Sequence, residues 1–232
     1  MRVRLRFAKV GKVRWTSHRD VARMWERAFR RVQLPLAYTQ GFSPRPRVSF
    51  GLALPTGAES VAEYLDVELA EGAGADAVAL PGRLTPALPA GVDVLAAVVL
   101  DTGTASLQHE VTSCSWEVEA AGVAPDRLEE LVAAALARPS LVITRERKGQ
   151  RSEQDVRPGI LSCRAHGTTL LADLAAQPRA LRPSELLVAL GGLEAGRVRR
   201  TSQWIERDGA RTEPIPLPFD ATAAPYVIGR AS

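Results

Sequence analysis

Arginine side chains recur at helical spacing early in the sequence. Arg19, Arg23 and Arg27 are four residues apart, and Arg30 and Arg31 follow them. Because residues three or four apart lie on one face of a helix, these side chains would form a ridge of guanidinium groups. Guanidinium groups bind phosphate bidentately, and phosphates are regularly spaced along a nucleic-acid backbone. The arginine ridge therefore predicts a surface that binds nucleic acid.

The stretch "YTQGFSPRPRVSFG", residues 38–51, follows this segment and combines aromatic and basic side chains with two prolines and no acidic residue. Positive charge interleaved with aromatic rings is typical of sites for single-stranded nucleic acid, because bases stack on the rings while cations bind phosphates. The prolines stiffen the loop and so lower the entropic cost of ordering it on a ligand. The candidate binding residues in this stretch are Tyr38, Gln40, Phe42, Arg45 and Arg47.

Structural roles can explain the same side chains. Phe42 is of a residue type that commonly fills a hydrophobic core. Several of the arginines can instead form ion pairs with the acidic residues of segment 59–71. The sequence alone leaves both alternatives open.

A second basic stretch covers residues 145–157, where Glu146, Glu153 and Asp155 are mixed with the basic residues. The mixed sign favours a solvated hairpin, and nucleic-acid binding is the alternative. The remaining candidates for nucleic-acid binding are Arg14, His18, Arg145, Arg147, Lys148, Arg151 and Arg157.

His18 is the candidate for catalysis, since it stands at the start of the arginine-rich segment. An imidazole beside a phosphate can act as general acid or base in RNA cleavage, and a capping or phosphate hydrogen bond is the alternative. No Walker A loop, dinucleotide fingerprint or nucleophile elbow is present, so we expect no cofactor. Cys163 and His166 form a single C-x-x-H pair without a second pair at metal-ligand spacing, so we expect no metal site.

A helix must position the arginine ridge, and the sequence predicts one. Ser17 with Asp20 three residues later resembles a capping box, and Pro35 ends the element. Apolar side chains at helical spacing form the stripe that should face the core. They are Val21, Met24, Trp25, Ala28 and Phe29.

Strands are predicted before this helix. Val3, Leu5 and Phe7 alternate with arginines, and a period of two indicates a strand with one buried face. After a turn at Gly11, the segment Val13–Trp15 is predicted as a second short strand.

Further along the chain the order of predicted elements repeats. Both halves run strand, helix, strand, strand, helix, strand, at an offset of roughly 110 residues, which is the split βαβ or ferredoxin-like order. We therefore predict an α+β fold of two ferredoxin-like halves packed together, with a Pro-rich C-terminal tail. The predicted domains are residues 1–107, residues 108–206 and a loosely packed tail at residues 207–232.

Charge is unevenly distributed along the 232-residue chain. Residues 1–50 hold 13 Lys and Arg against two acidic residues, whereas the rest holds 17 against 24. This asymmetry indicates a surface for a polyanion, with a solvated basic face as the alternative. Because the chain lacks a membrane-length apolar run and a signal-peptide core, we expect a cytoplasmic protein without a membrane partner. Two cysteines in such a chain predict no structural disulfide.

Three segments together resemble a known bacterial family, the radical-SAM-linked family. They are "KVGKVRWTSHRDVARMWERAFRRVQLPLAYTQGFSPRPRVSFGLALPTGAES", "ERKGQRSEQDVRP" and "RPSELL". The resemblance implies a partner, a radical-SAM protein with a B12-binding-like domain, because family members are fused to such proteins or encoded beside them. It implies no established activity. Family members more often have histidine where this chain has Arg45, which keeps the positive charge.

The cysteine count limits what the resemblance can mean. Radical-SAM enzymes need three thiolates to hold their cluster, and this chain has two cysteines. The chain is therefore expected to assist such an enzyme and not to be one. In some bacteria, neighbouring genes of this family encode an RNase E/G-type ribonuclease and ribosomal proteins, an association that agrees with the basic N-terminal segment.

Three functions remain compatible with the sequence. The first is a non-catalytic RNA-binding accessory that presents ribosomal or transfer RNA to a radical-SAM partner. The second is an RNA-processing enzyme with His18 as acid or base, by fold-level analogy with CRISPR-type repeat endoribonucleases, which also use tandem ferredoxin-like halves. The third is a protein-docking module whose arginine ridge binds an acidic surface of the partner.

Overall fold

A computed structural model describes residues 1–147 and 149–215 of the chain, apart from the side chain of Arg147. The strands are β1 (Arg2–Lys9), β2 (Val48–Phe50), β3 (Glu59–Glu68), β4 (Val92–Leu100), β5 (Ser113–Ala121), β6 (Val142–Arg147), β7 (Gln150–Asp155), β8 (Ile160–His166), β9 (Thr169–Ala175), β10 (Glu194–Arg207) and β11 (Ala210–Thr212). The α-helices are α1 (His18–Arg31), α2 (Leu80–Leu84), α3 (Leu107–Glu110), α4 (Pro125–Leu136) and α5 (Pro183–Ala189). Short 3-10 helices cover Gly11–Trp15, Thr85–Ala87 and Arg157–Gly159. None of the helices in the described residues is both long and apolar enough to cross a membrane.

The chain divides into two compact units. Unit 1 comprises Met1–His109 together with the described residues from Glu213 on, and unit 2 comprises Glu110–Thr212. Helices and antiparallel strands occur in both units, so the prediction of a mixed fold with α and β elements is confirmed.

Unit 1 contains an antiparallel sheet in the order β4-β1-β3-β2. Side chains of β1 and α1 meet in its core, where the Phe7 and Trp25 rings lie edge to face with centroids 4.9 Å apart. Trp25 and Phe29 follow at 5.4 Å along the helix. The predicted apolar stripe of α1 is confirmed, because Val21, Trp25, Ala28 and Phe29 are buried and Met24 packs against them.

Local chemistry fixes the start of α1 as predicted. Ser17 is the N-cap residue, and its Oγ accepts a hydrogen bond from the Asp20 backbone N–H at 3.2 Å. The same hydroxyl donates to Asp20 Oδ2 at 2.7 Å. Together these bonds satisfy a backbone donor that the first turn of any helix leaves free.

The prediction that β1 has one buried face is wrong, because its arginine face is buried as well. Arg4 and Arg6 are only 2% and 4% exposed. Arg4 forms a bidentate pair with Asp66 at 2.7 and 3.0 Å. Arg6 donates to Glu213 Oε2 at 2.7 Å and to the Ile215 carbonyl at 2.9 Å. Two distant segments thus compensate the cost of desolvating these cations, which charge alternation alone does not reveal.

The predicted strand Val13–Trp15 is also wrong, since these residues belong to the 3-10 helix Gly11–Trp15. Gly11 turns the chain at φ +70°, and its backbone N–H donates to Glu59 Oε1 at 2.8 Å. The buried Lys9 ammonium then donates to the carbonyls of Arg14 (3.3 Å) and Thr16 (3.2 Å). Side-chain hydrogen bonds therefore replace the strand ladder here.

Unit 2 contains an antiparallel sheet in the order β10-β5-β9-β8, with β11 paired to β10. Strands β6 and β7 form a separate hairpin. Helix α4 contacts β8, and helix α5 contacts β5 and β10. In both units the fourth main strand pairs with the first, the first with the third and the third with the second.

Some residues of the predicted tail have defined positions. Strand Ala210–Thr212 pairs with the end of β10, and Glu213 and Ile215 bind Arg6. The prediction for residues 216–232 lies outside the described residues.

Candidate nucleic-acid interface

The arginine ridge of α1 is exposed along its length. Arg19, Arg23, Arg27, Arg30 and Arg31 are all exposed. Arg23 lies 3.5 Å from Asp20, and Arg30 Nε donates to the backbone carbonyl of Glu26 at 3.2 Å. Within residues 1–147 and 149–215, the other three arginines form no ion pair. The ridge thus presents mostly uncompensated charge to solvent.

The stretch from Tyr38 to Arg47 forms a loop with a hydrogen-bonded stem. Tyr38 pairs with Pro46 as an isolated β-bridge. The Thr39 N–H donates to the Arg45 carbonyl at 2.9 Å, and the Arg45 N–H donates to Thr39 Oγ1 at 3.0 Å. These contacts fix both ends of the loop. Less entropy is therefore lost when the tip of the loop binds a ligand.

The aromatic side chains of this loop point to solvent. Phe42 is fully exposed, at 110% of its reference area, so it does not fill the core. Tyr38 is 49% exposed, and Gln40 is also exposed. Large exposed aromatic rings on a basic loop are the kind of surface on which unpaired bases stack.

Ion pairing divides the basic residues near this loop into two groups. Arg47 Nη1 lies 2.9 Å from Glu68 Oε2, and Arg14 Nη1 lies 3.4 Å from Glu59 Oε1. These two arginines form the ion pairs that the structural alternative predicts, and both side chains remain partly exposed to solvent. Arg45 is exposed and has no acidic partner in the part of the chain that the structure describes.

His18 lies at the edge of a pocket in unit 1. Its ring meets the Phe50 ring edge to face, with centroids 5.0 Å apart. Lys9, Thr16 and Glu63 line the pocket as well. Burial lowers the pKa of Lys9, and the nearby Glu63 carboxylate partly opposes this shift. The pocket therefore combines an imidazole with a lysine and a glutamate that are largely withdrawn from solvent.

Strand β2, which follows the loop, contacts the start of helix α1. β2 continues directly from the loop, and Phe50 at its end touches His18 at the first turn of α1. No hydrogen bond or ion pair among the described residues joins a ridge arginine to a loop residue. The structure thus brings His18 next to β2.

The second basic stretch belongs to unit 2, where the predicted hairpin is formed by β6 and β7. Arg145 Nε lies 2.7 Å from Glu185 Oε1, and Arg157 donates to the carbonyls of Ile160 and Leu136. Arg151 lies 3.6 Å from Glu146 and is exposed. The predictions for Lys148 and for the Arg147 side chain lie outside the described residues. Arg145 and Arg157 thus have structural partners.

Trp15 is a candidate that sequence reasoning missed, together with Lys9, Phe50 and Glu63. Trp15 is 64% exposed, and the Arg14 guanidinium lies 5.3 Å from its ring centroid. The signal in the sequence was a tryptophan inside the basic string "KVRWTSHR". The strand prediction for Val13–Trp15 concealed it.

Cysteines and histidines of unit 2 do not assemble a site. Cys114 and Cys163 are buried and form no disulfide, and burial raises the pKa of Cys163 to about 11. Cys163 and His166 stand three apart on β8, so they lie on opposite faces of the strand. No cluster of three or more potential metal-ligating side chains occurs among residues 1–147 and 149–215.

Comparison with protein families gives one match. Residues 2–183 match the family described as "Uncharacterized protein conserved in bacteria" (DUF2344). The chain belongs to the DUF2344 family. The matched region includes the ridge, the loop, the His18 pocket and the β6–β7 hairpin. No curated protein gives a significant match.

Proposed function

We propose that this DUF2344 protein is a cytoplasmic RNA-binding accessory that assists a radical-SAM enzyme in RNA modification or ribosome maturation. One observation supports the RNA-binding part of the proposal. Arginines without an ion pair among the described residues are exposed on α1, and Phe42 and Arg45 are exposed on the loop of residues 38–47. Cations along a helix bind phosphates, and solvent-facing rings stack bases. Unit 1 offers both within one fold.

The ferredoxin-like description of each unit is part of this proposal. The shared strand order and the antiparallel pairing in both units support it. Sheets of this type are used by many proteins with unrelated functions, so the fold agrees with RNA binding without selecting it.

The radical-SAM partner rests on the resemblance of the N-terminal segments to the radical-SAM-linked family. Two buried cysteines cannot supply the three thiolates of a radical-SAM cluster, so the chain would act beside that enzyme. The partner would catalyse the modification reaction, and this chain would bind the RNA.

Filter binding of a single-stranded RNA across a salt series tests the proposal. We expect binding at about 50 mM salt that weakens steeply as salt rises, because each phosphate contact releases counterions. The double variant Arg45→Glu/Arg47→Glu should bind much more weakly. The control is Arg127→Glu/Arg138→Glu, two exposed arginines in or next to α4 of unit 2. No binding at low salt, or a slope near zero, would refute the proposal.

The pocket beside His18 favours RNA cleavage as a second candidate function. His18 could take the proton of a ribose 2′-hydroxyl, whose oxygen then attacks the adjacent phosphorus. The 5′-oxygen would leave and gain a proton, giving a 2′,3′-cyclic phosphate and a 5′-hydroxyl end. The lysine and glutamate that line the same pocket supply a cation and a second proton carrier.

Cleavage assays with labelled RNA distinguish the two functions. Under the cleavage hypothesis His18→Ala abolishes product, whereas His166→Ala, an exposed histidine of unit 2, does not. Equal cleavage by wild type and His18→Ala would reject the catalytic role. If the wild type binds RNA but does not cleave it, the cleavage hypothesis is rejected and the RNA-binding accessory function is supported.

A further inference from the structure

Trp15 is an exposed tryptophan that the fold holds in one place. It is 64% exposed, whereas Trp25 and Trp116 are buried, at 1% and 5% exposure. The fourth tryptophan, Trp204, is partly exposed and donates from Nε1 to Ser115 Oγ at 2.7 Å. The ring face of Trp15 is therefore available to a ligand, and burying that face on binding would be favourable.

Gly57 lies directly against this ring, and we call the space that its missing side chain leaves the seat of Trp15. A Cβ at position 57 would lie 2.6 Å from Trp15 Cζ3, closer than two carbon atoms can approach. The Gly57 backbone adopts φ +89°, and its N–H donates to the Arg14 carbonyl at 2.9 Å. The ring and the backbone beside it are therefore both fixed by one glycine.

Glu59 secures the same segment from two sides. It is 3% exposed, and its Oε1 accepts hydrogen bonds from the Gly11 N–H at 2.8 Å and from Arg14 Nη1 at 3.4 Å. Gly57 and Glu59 both belong to the string "PTGAES". That string therefore shapes the 3-10 helix that presents Trp15, a role visible only in three dimensions.

Arg14 lies beside the ring, and further basic residues are close to it in the sequence. The Arg14 guanidinium lies 5.3 Å from the Trp15 centroid, and Lys12 is exposed with no ion pair among the described residues. His18 and Arg19, both exposed, follow within four residues. An exposed aromatic face with a guanidinium beside it and basic residues nearby in the chain suits a nucleotide, which has a flat base and a phosphate on each side.

We propose that Trp15 is a stacking platform for an unpaired base of RNA, with the basic residues near it in the sequence binding the flanking phosphates. This inference rests on the proposed RNA-binding function and adds the class of RNA. A base must expose its face in order to stack, and a duplex hides the faces of its bases in the helix. The platform therefore selects single-stranded RNA over duplex RNA.

Tryptophan fluorescence together with filter binding tests this proposal on the full chain. The probes are a 12-nucleotide oligouridine and a 12-base-pair RNA duplex. We expect the oligouridine to quench the wild-type fluorescence, and Trp15→Ala to remove the quenching and lower affinity about 5- to 100-fold, the usual cost of losing one stacked base. Affinity for the duplex should change less than twofold.

Two further variants keep the test independent of folding. Trp15→Phe keeps an aromatic face on Gly57, so it should retain affinity within about threefold while the quenching disappears. Trp204→Phe, the control, should retain both the affinity and most of the quenching. If Trp15→Phe quenched like the wild type, the fluorescence change would come from another tryptophan and the proposal would be overturned.

The outcomes separate this inference from the function on which it rests. If the wild type binds neither probe at low salt, both fail. If it binds oligouridine but Trp15→Ala binds equally well, the stacking platform is wrong and RNA binding stands. If Trp15→Ala loses single strand and duplex equally, the selection of unpaired RNA is wrong. If Trp15→Ala keeps its affinity for oligouridine but loses a protein that co-purifies with the wild type, Trp15 is a protein contact and the proposal is overturned.

Discussion

Arg47 and Glu68 form an ion pair 2.9 Å long on the surface of unit 1, whereas Arg45 in the same loop has no acidic partner in the described chain. Both members of the pair are about half exposed, at 48% and 42% of their side-chain area. Exposed pairs contribute only about 0–1 kcal/mol, so RNA phosphates can compete for Arg47. Glu68 therefore acts as an internal competitor of the proposed ligand.

Removing this competitor should strengthen RNA binding. Glu68→Gln releases Arg47 and deletes one negative charge, so we expect affinity to rise about two- to fivefold at low salt. The control is Glu71→Gln, at an exposed carboxylate with no ion pair among residues 1–147 and 149–215. It deletes the same charge without releasing an arginine and should change affinity less. Filter binding measures both, and an equal effect of the two variants would argue against Arg47 as a phosphate ligand.

Arg23 on α1 and Arg127 on α4 each form an ion pair within their helix, and comparing the two tests whether the ridge binds phosphate. Arg23 lies 3.5 Å from Asp20 on α1, and Arg127 lies 2.8 Å from Glu130 on α4, both at a spacing of three residues. We expect Arg23→Ala to weaken RNA binding and to reduce the slope of log affinity against log salt by about 0.7 to 0.9. Arg127→Ala should change neither quantity. Identical slopes for wild type and Arg23→Ala would show that this arginine touches no phosphate.

Two glycines with positive φ test the seat of Trp15. Gly57→Ala places a Cβ against Cζ3 of the ring, whereas nothing lies within 4 Å of a Cβ at Gly72. Both changes carry the backbone cost of alanine at positive φ, about 1–2 kcal/mol. Gly57→Ala should therefore lower the free energy of unfolding by about 1–3 kcal/mol more than Gly72→Ala. Urea unfolding gives both values, and the added substitution Trp15→Ala should recover part of the difference.

Lys9 should make stability depend on pH in a predictable direction. Burial lowers the pKa of folded Lys9 below its ordinary value of 10.5. Between the folded pKa and 10.5 the unfolded chain binds more protons, so stability rises with pH in that window relative to Lys9→Met. Urea unfolding of both proteins at neutral pH and near pH 10 measures this rise. A constant difference between them would contradict the shift.

The same substitution also removes two hydrogen bonds and the cation next to Glu63. We expect Lys9→Met to cost about 2–4 kcal/mol of unfolding free energy at neutral pH. Lys12→Met, at an exposed lysine three residues later, should cost less than about 0.5 kcal/mol. A small effect at both positions would mean that Lys9 does not hold the 3-10 helix.

Features set by neighbouring residues could be predicted from the sequence. The start of α1 depends on Ser17 and Asp20, and its buried stripe depends on apolar residues three and four apart. The exposed ridge follows from the same periodicity. These elements were predicted correctly because their causes lie within a few residues of each other.

Features set by distant residues could not be predicted in this way. Residues 13–15 follow a strand pattern, yet Glu59 holds this segment in a 3-10 helix from 48 positions beyond Gly11. Arg4 and Arg6 alternate like solvent-facing residues, yet Asp66 and Glu213 allow them to be buried. The pocket of Lys9, His18 and Glu63 and the seat of Trp15 have the same origin, since each combines side chains from separate elements.

Crosslinking of RNA to the protein, with the crosslinked peptides identified by mass spectrometry, tests whether unit 1 binds RNA through the ridge and the loop. An oligonucleotide that contains 4-thiouridine would be irradiated together with the full chain. Chymotrypsin would then digest the protein, because trypsin cleaves after arginine and would cut the arginine-rich segments into very short peptides. We expect crosslinks within residues 12–31 and 38–47 of unit 1 that weaken as salt rises and that are reduced by Arg45→Glu. Crosslinks confined to unit 2, or none at low salt, would contradict it.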